Sequence, residues 1–75
     1  MLLEEFVHKF SSCFHQTDPL SIKADTEFRK LDEWGSMMAL IVIAMIDEDY
    51  GKTITAEDLR RANTVADLFE IVRSK

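Results

Sequence analysis

Residues 34–51, "WGSMMALIVIAMIDEDYG", decide how this chain folds. An unbroken apolar run from Met37 to Ile46 follows Ser36 and leads into three acids, Asp47, Glu48 and Asp49. The run is well short of the roughly 20 residues a membrane span needs, so it reads as a helix of a small folded protein. Ser36 suits a helix start, where serine is a favoured residue. Gly51 suits its end, where a left-handed residue often closes the last turn. Ala39, Val42, Ile43, Ile46 and Tyr50 fall at helical spacing and are expected to form the core face. Met37, Leu40, Ile41, Ala44 and Met45 cannot all share that face. A helix apolar all round is either central or presents a greasy surface to a partner, and methionine suits an adaptable surface. Leu40, Ile41 and Ala44 lie one and two turns beyond Ser36 and are expected to dock partners or a second copy of the chain.

Upstream, residues 16–35 form a long connection, opened where Pro19 disfavours helix at the residue before it. Loops of this length are often functional or pinned by their own side chains. Leu20, Ile22, Phe28, Leu31 and Trp34 are the candidates for pinning, with a short helical turn near residues 26–31. Before the loop, Leu2 to Phe14 reads as a helix with Leu3, Phe6, Val7, Phe10 and Phe14 on one face. Downstream, "TAED" and "TVAD" each place an acid three residues after a threonine, the signature of a capping box. They start a short third helix after Thr55 and a fourth after Thr64, the latter with Val65, Leu68, Phe69 and Val72 as its apolar stripe. The expectation is an all-α, four-helix bundle with a long first loop and a short third helix.

The chain has 75 residues, enough for one domain over residues 1–75 and too few to enclose a deep active site. That weighs against an enzyme. Nine basic against fourteen acidic side chains give a net charge of -5, which repels nucleic acid and anionic membranes and attracts basic protein partners. The single cysteine, Cys13, cannot form an internal disulfide and suits a reducing, cytoplasmic setting. The first residues carry acids where a secretory leader would carry bases.

Within this frame the chain resembles the acyl carrier protein family over about residues 3–73. Members of that family carry their prosthetic group on a serine at the start of helix two, in a motif read as Asp-Ser-Leu with Gly two residues before the Asp. Here Glu33, Trp34, Gly35, Ser36 and Met37 stand at those positions. "MIDEDYGKTIT" is similar to the family's acidic end of helix two, and "RANTVADLFEIV" to its closing helix. The resemblance implies that Ser36 holds 4'-phosphopantetheine through a phosphodiester, with acyl or aminoacyl cargo on the terminal thiol. It implies no catalysis by the chain itself. It also implies recognition by a phosphopantetheinyl transferase and by basic loading and processing enzymes, through Gly35, Met37, Leu40, Ile41, Ala44, Asp47 and Glu48. Gly35 replaces the acid that the transferase is expected to contact. Ile41 sits where fatty-acid carriers usually have an acid, which points to partners unlike those of the housekeeping system. Because the chain begins at Met1, a free-standing carrier is expected. A competing reading is a small helical interaction module, alone or as a homodimer, that keeps the fold without the arm.

Other patterns are weak. Residues 47–58 resemble a calcium loop, but Lys52 stands where that loop needs Gly, and Asp58 where it needs Glu. His8, Cys13 and His15 are poorly spaced to share a metal or form a catalytic pair, and no fourth ligand is evident.

Overall fold

A computed structural model describes all 75 residues. Four α-helices form and no strand: α1 is Leu3–Ser11, α2 Ser36–Tyr50, α3 Ala56–Arg61 and α4 Val65–Arg73. The expected four-helix architecture, with its long first connection and short third helix, is the one observed.

In α1, Glu4 and Glu5 occupy the first turn and His8 and Lys9 the last, complementing the helix dipole at both ends. Phe6 and Phe10 are fully buried, with Leu3 and Val7 packed beside them. The helix ends at Ser11, earlier than the expected Phe14. The Ser11 hydroxyl donates to the His8 carbonyl at 2.9 Å, and the Ser12 hydroxyl to the Lys9 carbonyl at 2.8 Å. Serine hydroxyls competing for helix carbonyls loosen the ladder. The chain tightens into a turn there, and Phe14 still reaches the core.

The start of α2 differs from those of α3 and α4. Thr55 and Thr64 each accept from the backbone N–H three residues on, while Asp58 and Asp67 reach back to the cap residue's own N–H. Both capping boxes read from sequence are therefore present. Helix α2 begins after Gly35 with no side-chain cap. At its far end Gly51 adopts φ 65 and donates its N–H to the Asp47 carbonyl at 2.9 Å, a left-handed closure that glycine adopts without steric cost.

The core face of α2 is rotated slightly from expectation. Met38, Val42 and Ile46 are buried, while Ala39, Ile43 and Tyr50 are half-buried beside them. Met38 lies one turn before Val42 and completes that stripe. Val65, Leu68, Phe69 and Val72 of α4 are all buried, as expected. The rings of Phe6 and Phe69 lie 5.5 Å apart, those of Phe10 and Phe28 5.4 Å, and those of Phe28 and Trp34 5.0 Å. This aromatic succession, at spacings typical of attractive tilted pairs, runs from α4 across α1 to the loop before α2.

That loop is fastened along its length. It contains two 3-10 turns, Pro19–Ser21 and Phe28–Lys30, the second matching the expected turn. Ile22 and Phe28 are buried, and Leu31 and Trp34 pack against the core. Leu20 departs from expectation: it is 81% exposed and pins nothing. Asp18 caps the first turn by accepting the Leu20 N–H, and this geometry turns the Leu20 side chain outward. Polar bonds do much of the fastening. The N–H groups of Val65 and Ala66 donate to the Thr26 and Ala24 carbonyls, tying the loop to the start of α4.

Candidate functional site

Ser36 is the first residue of α2 and is exposed. Standing inside the helix rather than before it, it does not act as the cap. The Ala39 N–H closes the first helical bond onto the Gly35 carbonyl at 3.0 Å. The N–H groups of Ser36, Met37 and Met38 therefore have no acceptor within the chain. A helix start left open in this way favours an anion placed upon it.

Glu33 holds the approach to this helix start. Its carboxylate accepts the His15 N–H at 2.9 Å, the Gln16 N–H at 3.0 Å and the Thr17 hydroxyl at 2.9 Å. These donors, His15 first, hold the Glu33 carboxyl below its ordinary range. Trp34 follows, stacked on Phe14 and set edge-on to Phe28. It is half-buried and plugs the loop onto the bundle. Gly35 is fully extended, and a Cβ built there meets nothing within 4 Å.

Two surfaces flank Ser36. Along α2, Met37 is 70% and Leu40 64% exposed, and Ala44, Asp47 and Glu48 are exposed with them. Ile41 sits at the margin of this strip, half-buried against the core. Asp49 pairs with Lys9 of α1 at 3.7 Å, whereas Asp47 and Glu48 make no ion pair. The second surface is a cleft of about 310 Å³ that includes Ser36. Trp34, Ala39, Ala56 and Leu59 line it together with Arg29 and Arg60.

A family model described as a phosphopantetheine attachment site matches residues 14–72. The chain belongs to this phosphopantetheine-binding family. No curated protein and no solved structure gave a match. Phosphopantetheine-binding domains are carriers rather than catalysts: they bear the prosthetic group covalently on a serine and work with a transferase and with biosynthetic enzymes. The match begins beyond α1, yet α1 gives Phe6 and Phe10 to the same core.

The residues present fit the group. A covalent phosphodiester needs a reachable serine hydroxyl, which the start of α2 offers in Ser36, and the N–H groups left open there favour the phosphate. When bound, the group supplies a terminal thiol that holds cargo as a thioester. Burial, and then the Asp49 carboxylate, push the Cys13 thiol above its ordinary value, so it stays protonated. No three His, Cys, Asp or Glu side chains are grouped to hold a metal ion, and no helix is long and apolar enough to cross a membrane.

Arg29, Arg60 and the gripping role of Glu33 escape sequence reading. Glu33 is 18 residues from His15, and the Arg29 guanidinium is fixed by a carbonyl 33 residues away. Neither spacing leaves a local signal.

Proposed function

We propose that Ser36 is the attachment serine, and that residues 1–75 act as one free-standing carrier for an acyl or aminoacyl cargo. The observation that carries this reading is the contrast between helix starts. α3 and α4 are closed by capping boxes, α1 and α2 are open, and of the two open starts only that of α2 is led by a serine, exposed and with an uncommitted hydroxyl. The strip formed by Met37, Leu40 and Ala44, with Ile41 at its margin and Gly35 at its head, supplies apolar area for partner enzymes. Asp47 and Glu48 supply charge that attracts basic partners and speeds encounter. The net charge of -5 acts in the same direction. The lone half-buried thiol of Cys13 is compatible with a reducing, cytoplasmic compartment.

The test is an intact mass after incubation with a broad-specificity phosphopantetheinyl transferase and coenzyme A. One phosphopantetheine should be added to the wild-type chain and none to Ser36→Ala. An unshifted wild-type mass with several transferases would remove Ser36 as the attachment serine and promote the interaction-module reading.

A further inference from the structure

The cations of this acidic chain are mostly committed to its own carboxylates. Lys9, Lys30, Arg60, Arg61, Arg73 and Lys75 all form ion pairs. Arg29 forms none. Its Nε and Nη2 donate to the Ala62 carbonyl at 3.1 and 2.9 Å, which fixes the guanidinium plane between the loop and the α3–α4 connection. A guanidinium has five N–H donors in a rigid fork, so this grip leaves donors free, together with an unneutralised charge. Arg60 enters the same cleft with one donor on Glu57 at 3.0 Å and the rest free. No carboxylate lines the cleft, and Ser36 does. In a chain of net charge -5, two arginines and an uncapped helix start line the one cleft that includes Ser36.

We infer that Arg29 and Arg60 form a seat for the phosphodiester on Ser36. The root of the arm is then held over the cleft between α2 and α3 instead of standing free in solvent. This rests on the reading of Ser36 as the attachment serine. The phosphate is the anion closest to hand, since its bridging oxygen is the Ser36 oxygen itself. Arg29 is the pre-organised member, because its orientation is set by Ala62 before any anion arrives. Arg60 is the adjustable member and shares its charge with Glu57. The apolar lining from Trp34, Ala39, Ala56 and Leu59 offers the first part of the arm a surface to lie against.

The experiment compares the melting temperatures of the unmodified and the pantetheinylated, unloaded chain, in wild type, Arg60→Gln and Arg29→Gln. Mass spectrometry confirms modification in each. Loss of the Ala62 bond lowers Arg29→Gln in both forms, so the increment on modification is the readout. Wild type should gain about 2–4 °C at low salt, as expected for exposed charge-assisted contacts in a domain of this size. Each variant should keep less than half of that gain. Raising ionic strength from about 0.01 M to about 0.15 M should shrink the wild-type gain, because exposed charges are screened. With no cargo present, the effect belongs to the arm itself, and its dependence on the two arginines and on salt assigns it to the phosphate. A gain absent from wild type, or surviving intact in either variant, overturns the seat. Arg60→Gln decides alone if Arg29→Gln does not fold. A chain that never gains mass instead defeats the attachment reading, and the seat with it.

Discussion

Glu33 and Thr17 are joined by a 2.9 Å hydrogen bond from the Thr17 hydroxyl to a carboxylate oxygen of Glu33, across 16 residues of chain. The same carboxylate accepts the N–H groups of His15 and Gln16, so one side chain closes the beginning of the loop onto its end. Ser36 follows three residues later, which makes Glu33 the fastener that presents the helix start.

Glu33→Gln replaces one accepting oxygen with an NH2 that cannot accept. The amides of His15 and Gln16 should exchange with deuterium markedly faster in this variant, while those of α4 should not change. The wild-type effect should also depend on pH. The donors, His15 first, lower the folded pKa of Glu33. Its contribution is therefore complete above the ordinary carboxylate value of about 4.3 and is lost as pH falls through the folded value. Equal exchange in wild type and Glu33→Gln would mean that the loop's other fastenings protect these amides without Glu33.

Asp58 is a buried carboxylate with a heavier structural role. It accepts the Thr55 N–H at 3.0 Å and faces the Lys75 ammonium at 2.9 Å, linking the α3 cap to the chain end. The Lys75 ammonium, followed by the Thr55 N–H, holds its carboxyl below the ordinary range. The depressed value stabilises the fold above the unfolded pKa of about 3.9, and this is lost as pH falls through the folded value. Asp58→Asn should lower Tm at neutral pH and flatten the acid limb of a plot of Tm against pH. Thr55→Ala, which removes only the reciprocal cap, should cost about 1 kcal/mol. An acid limb unchanged in Asp58→Asn would assign acid lability to other carboxylates.

The elements that were legible in the sequence are those written in short-range chemistry. Thr55 with Asp58, Thr64 with Asp67, and Gly51 after Tyr50 mark helix ends within four residues, and each stands where expected. The start of α2 at Ser36 was legible for the same reason. The loop was not, because its fastening is long-range and polar: Glu33 to His15, Arg29 to Ala62, and Thr26 and Ala24 to α4 leave no periodic trace. Hydrophobicity suggested Leu20 as a pin, whereas the Asp18 turn directs it outward.

Gly35 separates stability from recognition. Its backbone is extended and a Cβ meets nothing, so Gly35→Asp fits without strain. The new carboxylate can accept a free N–H of the first turn of α2, and losing a glycine reduces the entropy of the unfolded chain. A gain of about 0.5–1 kcal/mol follows, seen as a higher Tm of the unmodified chain. If the transferase reads an acid at this position, modification at low salt should also be faster. A raised Tm with an unchanged rate would show that this chain's own transferase does not read residue 35.

Tyr50 gives a second test in which stability should not fall. Its hydroxyl is buried without a hydrogen-bond partner, beside Phe6 at 5.8 Å between ring centres. Burial, then the Glu5 and Asp49 carboxylates, raise its pKa and keep it protonated. Removing an unsatisfied buried group costs little and often helps. Tyr50→Phe should therefore match or exceed wild type in stability, within about 0.5 kcal/mol or above it. A clear loss in denaturant titration would reveal a partner for the hydroxyl in solution.

The strip on α2 calls for a pair of substitutions one residue apart. Leu40 is 64% exposed, whereas its neighbour Ile41 packs against the core edge. Leu40→Glu places a carboxylate in water, and surface changes usually stay within about 0.5 kcal/mol. Ile41→Glu pushes a carboxylate toward apolar side chains, where an unpaired charge costs several kcal/mol or forces its neighbours to move. The melting temperature should therefore hold in Leu40→Glu and fall in Ile41→Glu. Loading by a partner enzyme, or self-association, should weaken in Leu40→Glu even though its fold is intact, because the substitution puts charge at the centre of the strip between Met37 and Ala44. That separation makes Leu40 the cleaner probe of docking. A Leu40→Glu chain that is loaded and associates like wild type would show that partners approach Ser36 from another side, leaving Met37 and Ala44 without a role in recognition.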